Sequence, residues 1–525
     1  MRTASSSPAR ITTGISHPLY GVAATRALEQ WAQAQLPAHT LMQRAGLATA
    51  RLALALAPHA QSIWIACGPG NNGGDGFETA LQLHRLGKAV TLTWTGPSDR
   101  MPEDARVSQA RAEAAGLTVS PAPPPDADFC IDALLGLGGR LGAPSVTQRP
   151  LAEHIVRWLN RMDASSAPVL CIDLPTGLDA DSGTTPRQPN DVLTHASSTT
   201  PGARHTLSLL TLKPGLFTAH GRDGAGQIWF DDLGIDIPDD IRPIARLLGS
   251  DDALPGAGHL TPHSSHKGSF GDVAVLGGET LRTAPSASMG GAALLAARAA
   301  LHAGAGRVFV ALLGQSDMLL DPLQPELMFR SPAALDMKQQ VMVCGCGGGA
   351  SVAALLPELL TSAPRAVLDA DALNAIASDA GLQNLMRQRA ARSFRTVLTP
   401  HPLEAARLLG SSTAQVQAHR LNAAQQLALQ FGCVVVLKGS GTVIAAPDKT
   451  PWINASGNAL LATAGTGDVL AGMIGAALAR GHDAWHAAAT AVFAHGAVAD
   501  DWQQSGGGAF TASALARGGL CPRQA

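Results

Sequence analysis

The sequence predicts an α/β protein of two consecutive domains, and three observations carry that prediction. Short apolar or β-branched runs recur along all 525 residues, each followed by a glycine-rich or acidic turn and then a helical stretch. That alternation is the pattern of βαβ units on a parallel sheet. A proline-rich, aperiodic stretch, Asp232–Gly258 with Pro238, Pro243 and Pro255, interrupts it and reads as a boundary. The length is too great for one ordinary domain. The expected division is a disordered tail over 1–14, a first domain over 15–240, a linker over 241–258 and a second domain over 259–525.

Composition excludes several classes of function. A formal charge of −2 with 15% charged residues leaves no electrostatic footprint for nucleic acid or an anionic membrane. Uncharged apolar runs such as Val469–Ala479 fall short of the roughly 20 residues a membrane span needs. Met1–Arg10 has no apolar core, so no secretory signal is expected. The seven cysteines are scattered, most within apolar runs, as buried thiols of a reducing cytoplasm are. Cys344 and Cys346 form a C-x-C without a second pair or histidine cluster at zinc-ligand spacing.

In the first half, Ala23–Gln35 and Thr40–Ala57 read as helices separated by Pro37. Gln61–Cys67 reads as a buried strand. The glycine loop Gly68–Gly76 follows, then a helix Phe77–Leu86 and a strand Ala89–Trp94. Such a unit sets backbone N–H groups against phosphates at the carboxyl edge of a sheet. The loop departs from G-x-G-x-x-G with an acid at the next strand end, which gives ordinary nicotinamide-cofactor binding little support. Asn71, Asn72 and Asp75 add side-chain oxygens; the plain alternative is a tight turn with Asp75 capping the helix. Asp132 and Asp173 end the apolar runs of Ala127–Leu135 and Val169–Asp173. A cation or a polar ligand would relieve the cost of two acids there, with an amide oxygen of Asn71 or Asn72 as a further donor. Turn capping is the alternative.

These motifs, Gly70-Asn-Asn-Gly-Gly-Asp-Gly76, Asp132-Ala-Leu-Leu-Gly136, Asp173-Leu-Pro-Thr-Gly177 and Leu212-Lys-Pro-Gly215, resemble the N-terminal domain of the bifunctional NAD(P)H-hydrate repair enzymes. The resemblance implies a Rossmann-like three-layer domain that interconverts the R and S hydrates of NADH and NADPH and binds potassium. It assigns Asn72, Asp132 and Thr176 to the cation. Asn71, Asn72, Gly73, Gly74, Asp75, Gly136, Leu137, Gly138, Gly139 and Arg140 would hold the hydrated dinucleotide with Asp173. Asp132 and Asp173 both stand as proton carriers. Two departures accompany it: Thr176 stands where the family has Ser, and Gly136–Gly142 replaces a shorter Gly-Thr-Gly-Leu loop.

In the second half, strands are expected over Asp272–Leu276, Arg307–Leu312, Val341–Cys344, Ala366–Leu368, Thr396–Thr399 and Cys433–Leu437, with a helix over Met289–Ala303. Every strand end carries glycines or polar groups, all on one edge of one sheet. Gly465, Thr466 and Gly467 read as a non-helical turn, and a buried helix is expected from Asp468 onward. A helix opening at a glycine turn offers free N–H groups and a positive dipole end to phosphate. Asp468 is there a candidate general base, or simply a helix cap.

Ser265-His-Lys-Gly268, Leu368-Asp-Ala-Asp371, Thr399-Pro-His-Pro402, Lys438-Gly-Ser-Gly-Thr442 and Gly465-Thr-Gly-Asp468 resemble, in order, the ribokinase-like dehydratase domain of the same family. The resemblance implies that Lys438, Gly439, Ser440, Gly441, Thr442 and Gly467 cradle ADP with magnesium. Ala292, Gly347, His401 and Asp468 would contact the S hydrate, which is dehydrated to NADH or NADPH as ADP becomes AMP and phosphate. Leu403 stands where the family has Gly. A homo-oligomer is expected. The competing reading is a small-molecule kinase fused to a non-catalytic dinucleotide-binding domain.

Overall fold

The computed structural model describes residues 7–96, 101–137, 151–186, 202–254, 262–282 and 287–520. The chain forms two compact units, one of residues up to Thr12 with Pro18–Ala245, the other of Thr13–His17 with Arg246 onward.

In the first unit the strands lie side by side in the order Ala9–Arg10, Gln227–Asp231, Arg204–Leu209, Val169–Ile172, Phe129–Ala133, Ser62–Cys67, Ala89–Trp94, Val119–Ser120. All neighbours are parallel except the first pair. Chain order reverses between Ser62–Cys67 and Phe129–Ala133, the switch point at which α/β ligands bind. Ser62–Cys67 shows why the sheet is buried on both faces. Ile63, Ile65 and Cys67 join one core with Leu28, Met42 and Phe77, while Trp64 and Ala66 join a second with Ile155, Leu159 and Met162. Alternate residues point to opposite faces, so an all-apolar strand needs helices on both sides. The result is three layers.

Three expectations change here. Ala9–Arg10, within the expected disordered tail, pairs antiparallel with Trp229 and Phe230. The expected linker contains a strand, Ala245–Leu248, and a short helix, Ser250–Ala253. The helix after the glycine motif begins at Asn71, not Phe77, so the motif forms its first turns and Asp75 is not its cap. Helical glycine costs about 1 kcal/mol relative to alanine, but packing requires it. A Cβ on Gly73 would sit 1.9 Å from the Gly68 carbonyl oxygen.

In the second unit the strand order is Met328–Phe329, Arg307–Gly314, Asp272–Leu281, Val341–Cys344, Arg365–Leu368, Arg395–Leu398, Val434–Leu437, then Val443–Ala445, Trp452–Asn454 and Ala245–Leu248. The strands from Met328–Phe329 to Val434–Leu437 are parallel, with Val443–Ala445 antiparallel to both its neighbours. Chain order again reverses beside the first parallel strand, between Asp272–Leu281 and Val341–Cys344. The helix Thr466–Ala479 is apolar almost all round and buried. It begins two residues before Asp468, with Gly465 at φ 90° as its cap, so Thr466 and Gly467 are helical and not a separate turn. Among the described residues no helix is long and apolar enough to cross a membrane.

This helix crosses the helix Gly290–His302 so closely that a Cβ on Gly472 would lie 2.0 Å from the Ala296 carbonyl oxygen. Helix propensity alone favours Gly472→Ala by about 1 kcal/mol. The backbone clash opposes it by about 1–3 kcal/mol, and backbone relaxes less readily than side chains. Gly472→Ala is therefore expected to lower the urea midpoint of unfolding; a raised midpoint would show that the helices can separate freely.

Candidate functional site

Each switch point carries a cluster of polar groups. In the first unit a cleft of about 520 Å³ is lined by Asn71, Asn72, Asp75, Gly136, Leu137 and Asp173 of the expected set, joined by Glu29 and Lys213. Gly73 and Gly74 are packed inward, where Cβ atoms would strike the Gly68 carbonyl and the Met42 sulfur. They can offer backbone N–H groups only. Gly138, Gly139 and Arg140 lie outside the described residues.

Asp132 and Asp173 have different surroundings. Asp132 is fully buried and does not line the cleft. Its carboxylate accepts the Thr176 hydroxyl at 2.7 Å and the N–H groups of Thr176 and Leu134 at 3.0 and 3.2 Å. The Thr176 hydroxyl accepts the Leu135 N–H at 3.0 Å, tying together the two loops that follow adjacent strands. Threonine therefore supplies the hydroxyl that the motif needs. Asp173 does line the cleft, in a left-handed conformation at φ 67° that L-residues avoid. Its carboxylate accepts from the Lys213 ammonium and from the Leu209 N–H, the latter at 3.2 Å. Lys213 is fully buried and also donates to the Leu209 carbonyl oxygen at 2.7 Å.

Burial, then the Asp173 charge, raises the carboxyls of Glu29 and Asp75 above their ordinary range. The Asn72 side chain is only 8% exposed, and neither its oxygen nor its nitrogen has a partner. Such an orphaned amide at a cleft is a ready ligand for a cation or a polar substrate. Carboxylate, hydroxyl and amide oxygen are a donor set that fits a hard cation, so the residues assigned to potassium are chemically suited to it.

In the second unit the strand ends meet at Asp468. Asp468 stands in the first turn of the helix Thr466–Ala479, partly exposed. One atom each from Cys346, Asp369 and Asp468 lie within 4.8 Å of one another. Lys438 Nζ donates to Asp369 Oδ1 at 2.7 Å, and a Cβ on Gly467 would be 3.3 Å from that nitrogen. Burial, then Asp369, pushes the Asp468 carboxyl up to about 6, while a hydrogen bond with the Cys346 thiol and the Lys438 charge pull the other way. Burial raises the Cys346 thiol well above its usual value. Without a cation the thiol is therefore held protonated, as a hydrogen-bond partner of Asp468.

The other predicted residues gather around this point. Gly347 presses against Met289 and Ala292, where a Cβ would meet them at 2.7 and 3.0 Å. His401 caps the helix Pro402–Leu409: its Nδ1 accepts the N–H groups of Leu403 and Glu404 at 3.1 and 3.3 Å. Nε2 must then carry the proton, 3.2 Å from Glu404 Oε1. Leu403 sits in that first turn, so the cap forms without a glycine there. The loop Lys438–Thr442 is ordered by the buried Arg420 guanidinium, which donates to the carbonyls of Leu437, Lys438 and Gly441 at 3.3, 3.3 and 3.4 Å. Gly439 and Ser440 are exposed at its tip. His495, buried, reaches the Thr466 carbonyl oxygen at 2.9 Å and so steadies the turn that presents Asp468.

Sequence reasoning assigned no role to Glu29, Lys213, Cys346 or Asp369. Lys213 and Asp369 stand inside the motifs above and Cys346 in the C-x-C pair, whereas Glu29, one acid on a helix, carries no sequence signal.

Residues 38–215 match the family described as YjeF-related protein N-terminus, and residues 247–518 the family described as NAD(P)H-hydrate dehydratase. The bifunctional NAD(P)H-hydrate repair enzyme of Escherichia coli K12 is 35% identical over 484 residues, covering 89% of this chain and 85% of that protein. Its counterpart in Coxiella burnetii is 33% identical over 509 residues, covering 93% and 96%. The ADP-dependent (S)-NAD(P)H-hydrate dehydratase of Neisseria meningitidis serogroup B is 42% identical over 266 residues, 49% of this chain and 85% of that one. With both halves matched in order and most of each bifunctional relative covered, the chain belongs to the bifunctional NAD(P)H-hydrate repair enzymes.

Proposed function

We propose that the chain repairs hydrated NADH and NADPH by two activities. The first unit interconverts the R and S hydrates. The second dehydrates the S hydrate, converting ADP to AMP and phosphate. The observation that carries the dehydratase assignment is the Asp468 carboxylate at the head of a glycine-led helix, beside the Lys438–Asp369 pair.

In that reading Asp468 takes the proton of the C6 hydroxyl as the phosphoryl group is transferred to it. Backbone N–H groups at Gly467 and the Lys438–Thr442 loop bear the phosphate charge. Hydroxide is a poor leaving group and phosphate a good one, so elimination then restores the ring double bond. Magnesium would arrive on the nucleotide phosphates and supply charge neutralisation. Ala292, Gly347 and His401 form the wall against which the hydrate lies, with the His401 Nε2–H as donor.

In the first unit Asn72, Asp132 and Thr176 would hold potassium, which would supply a fixed positive charge beside the ligand. The orphaned Asn72 amide supports that placement. Of the two proton carriers, Asp173 is favoured: it borders the cleft beside Lys213, whereas Asp132 spends its oxygens on Thr176 and Leu134. The backbone of Asn71–Asp75 and Gly136–Leu137 would position the dinucleotide.

Asp468→Asn should retain ADP binding by calorimetry while ADP-dependent recovery of NADH absorbance falls by about 10²-fold or more, the scale of general-base loss. Unchanged turnover would remove Asp468 from the chemistry. Because a general base must be ionised, wild-type dehydration should fall as pH drops through about 6, the value to which burial raises Asp468. A flat profile from pH 5 to 8 would contradict that role. Asp173→Asn should stop consumption of the R hydrate and leave that of the S hydrate intact; loss of both would indicate unfolding.

A further inference from the structure

Exchanging the two C6 epimers of a hydrate demands proton transfer on both faces of the ring. C6 is bonded to ring nitrogen N1, so loss of its hydroxyl as water leaves a planar C6=N1 iminium, and water returning to the other face gives the other epimer. One carboxylate cannot serve both faces. Resting on the epimerase reading above, we propose that Glu29 is the second acid–base group of epimer exchange, working on the ring face opposite Asp173.

Glu29 and Asp173 come from separate elements, the helix Val22–Gln35 and the turn after the strand Val169–Ile172, yet border one cleft. Among the described residues no hydrogen bond or ion pair engages the Glu29 carboxyl, whereas Asp173 is paired with Lys213. Free of a partner, Glu29 is available to a ligand. The Asn72 amide, nine-tenths buried and unpartnered, lines the same cleft, which is therefore equipped with polar groups for a bound ligand or its cation. Burial, then the Asp173 charge, shifts Glu29 toward its protonated form, the direction a proton donor needs; Lys213 and Arg26 oppose this and Asp104 adds to it. Asp75 shares the cleft and is itself raised by Asp173 and Glu29.

In the forward direction Glu29 gives its proton to the C6 hydroxyl. The C6–O bond breaks with its electron pair leaving on water, and the N1 lone pair forms the C6=N1 bond. A second water adds to the opposite face; Asp173 takes its proton and the π pair returns to N1. One water leaves and one enters, and the reverse sequence or exchange with solvent resets both carboxyls.

The test uses the full chain, purified R hydrate and ADP, so that the R form is consumed only as fast as it epimerises. Glu29→Gln should lower kcat for R-hydrate consumption by about 10²–10⁴-fold, the usual worth of a general acid. KM should change by less than about 3-fold, S-hydrate consumption should be unchanged, and Glu29→Asp should recover part of the rate. In the wild type the rate should fall as Glu29 deprotonates at high pH, and that limb should vanish from the residual rate of Glu29→Gln. Exchange as fast as wild type in Glu29→Gln would overturn the role of Glu29 alone. So would a change in KM only, a lowered melting midpoint, or loss of both activities. Absence of exchange in the wild type would instead overturn the epimerase reading.

Discussion

At both sheet edges the chain presses backbone against backbone at distances that leave no room for a Cβ atom. A Cβ on Gly68 would lie 1.6 Å from the Leu134 carbonyl oxygen, and one on Gly345 would lie 1.9 Å from that of Asp369. In each unit these glycines end a strand bordering the switch point, or follow it directly. They let the loops leaving neighbouring parallel strands touch, with the Gly68 and Gly345 N–H groups donating to the Ala133 and Leu276 carbonyl oxygens of those neighbours. The polar side chains stand at those edges: Asn72 and Asp173 in one unit, Asp369, Lys438 and Asp468 in the other. Larger residues at the glycines would spread the strand ends and separate groups whose chemistry depends on proximity.

The acids at these edges fall into two kinds, divided by what compensates their burial. Removing a carboxylate from water is costly unless hydrogen bonds or a cation replace the lost hydration. Asp132 obtains that from a hydroxyl and two N–H groups, and Asp369 from the Lys438 ammonium. Glu29, Asp75, Asp468 and Glu404 are less fully compensated, and burial is the first reason their carboxyls are raised. Compensated acids tie the loops together, whereas burial shifts the others toward their protonated forms, Asp468 to about 6 and Glu404 to about 7. This distinction is invisible in a motif, where Asp132 and Asp173 look alike.

Much of the architecture was legible because parallel strands buried on both faces are continuous apolar runs, as Ile63–Ile65, Val341–Val343 and Val434–Val436 are. Helix starts were less so. At Asn71 and Thr466 the intrinsic aversion of glycine to helices suggested loops, but close packing requires Gly73 and Gly74 in the first helix, and a left-handed φ of 90° requires Gly465 at the start of the second. Ala245–Leu248 was hidden because its neighbours Pro238, Pro243 and Pro255 dominate the local pattern. Of the candidate site residues, those following strands could be placed at the sheet's carboxyl edge from their position alone. Glu29 was not, since a single acid on an amphipathic helix looks like any solvated residue until the helix is placed over the cleft. His401 showed the opposite ambiguity: its Nδ1 makes a cap, and its Nε2 lies 3.2 Å from Glu404 Oε1.

The pairing of Ala9–Arg10 with the strand Gln227–Asp231, extended by the Ile11 N–H to the Ile228 carbonyl oxygen at 2.9 Å, has a practical corollary. An open border of a sheet is a row of unsatisfied donors and acceptors that recruits other chains. These few residues shield part of that border in the first unit. Trimming the protein to begin after them, as their serine- and proline-rich neighbourhood invites, would uncover Trp229 and its flanking main chain and favour self-association over solubility.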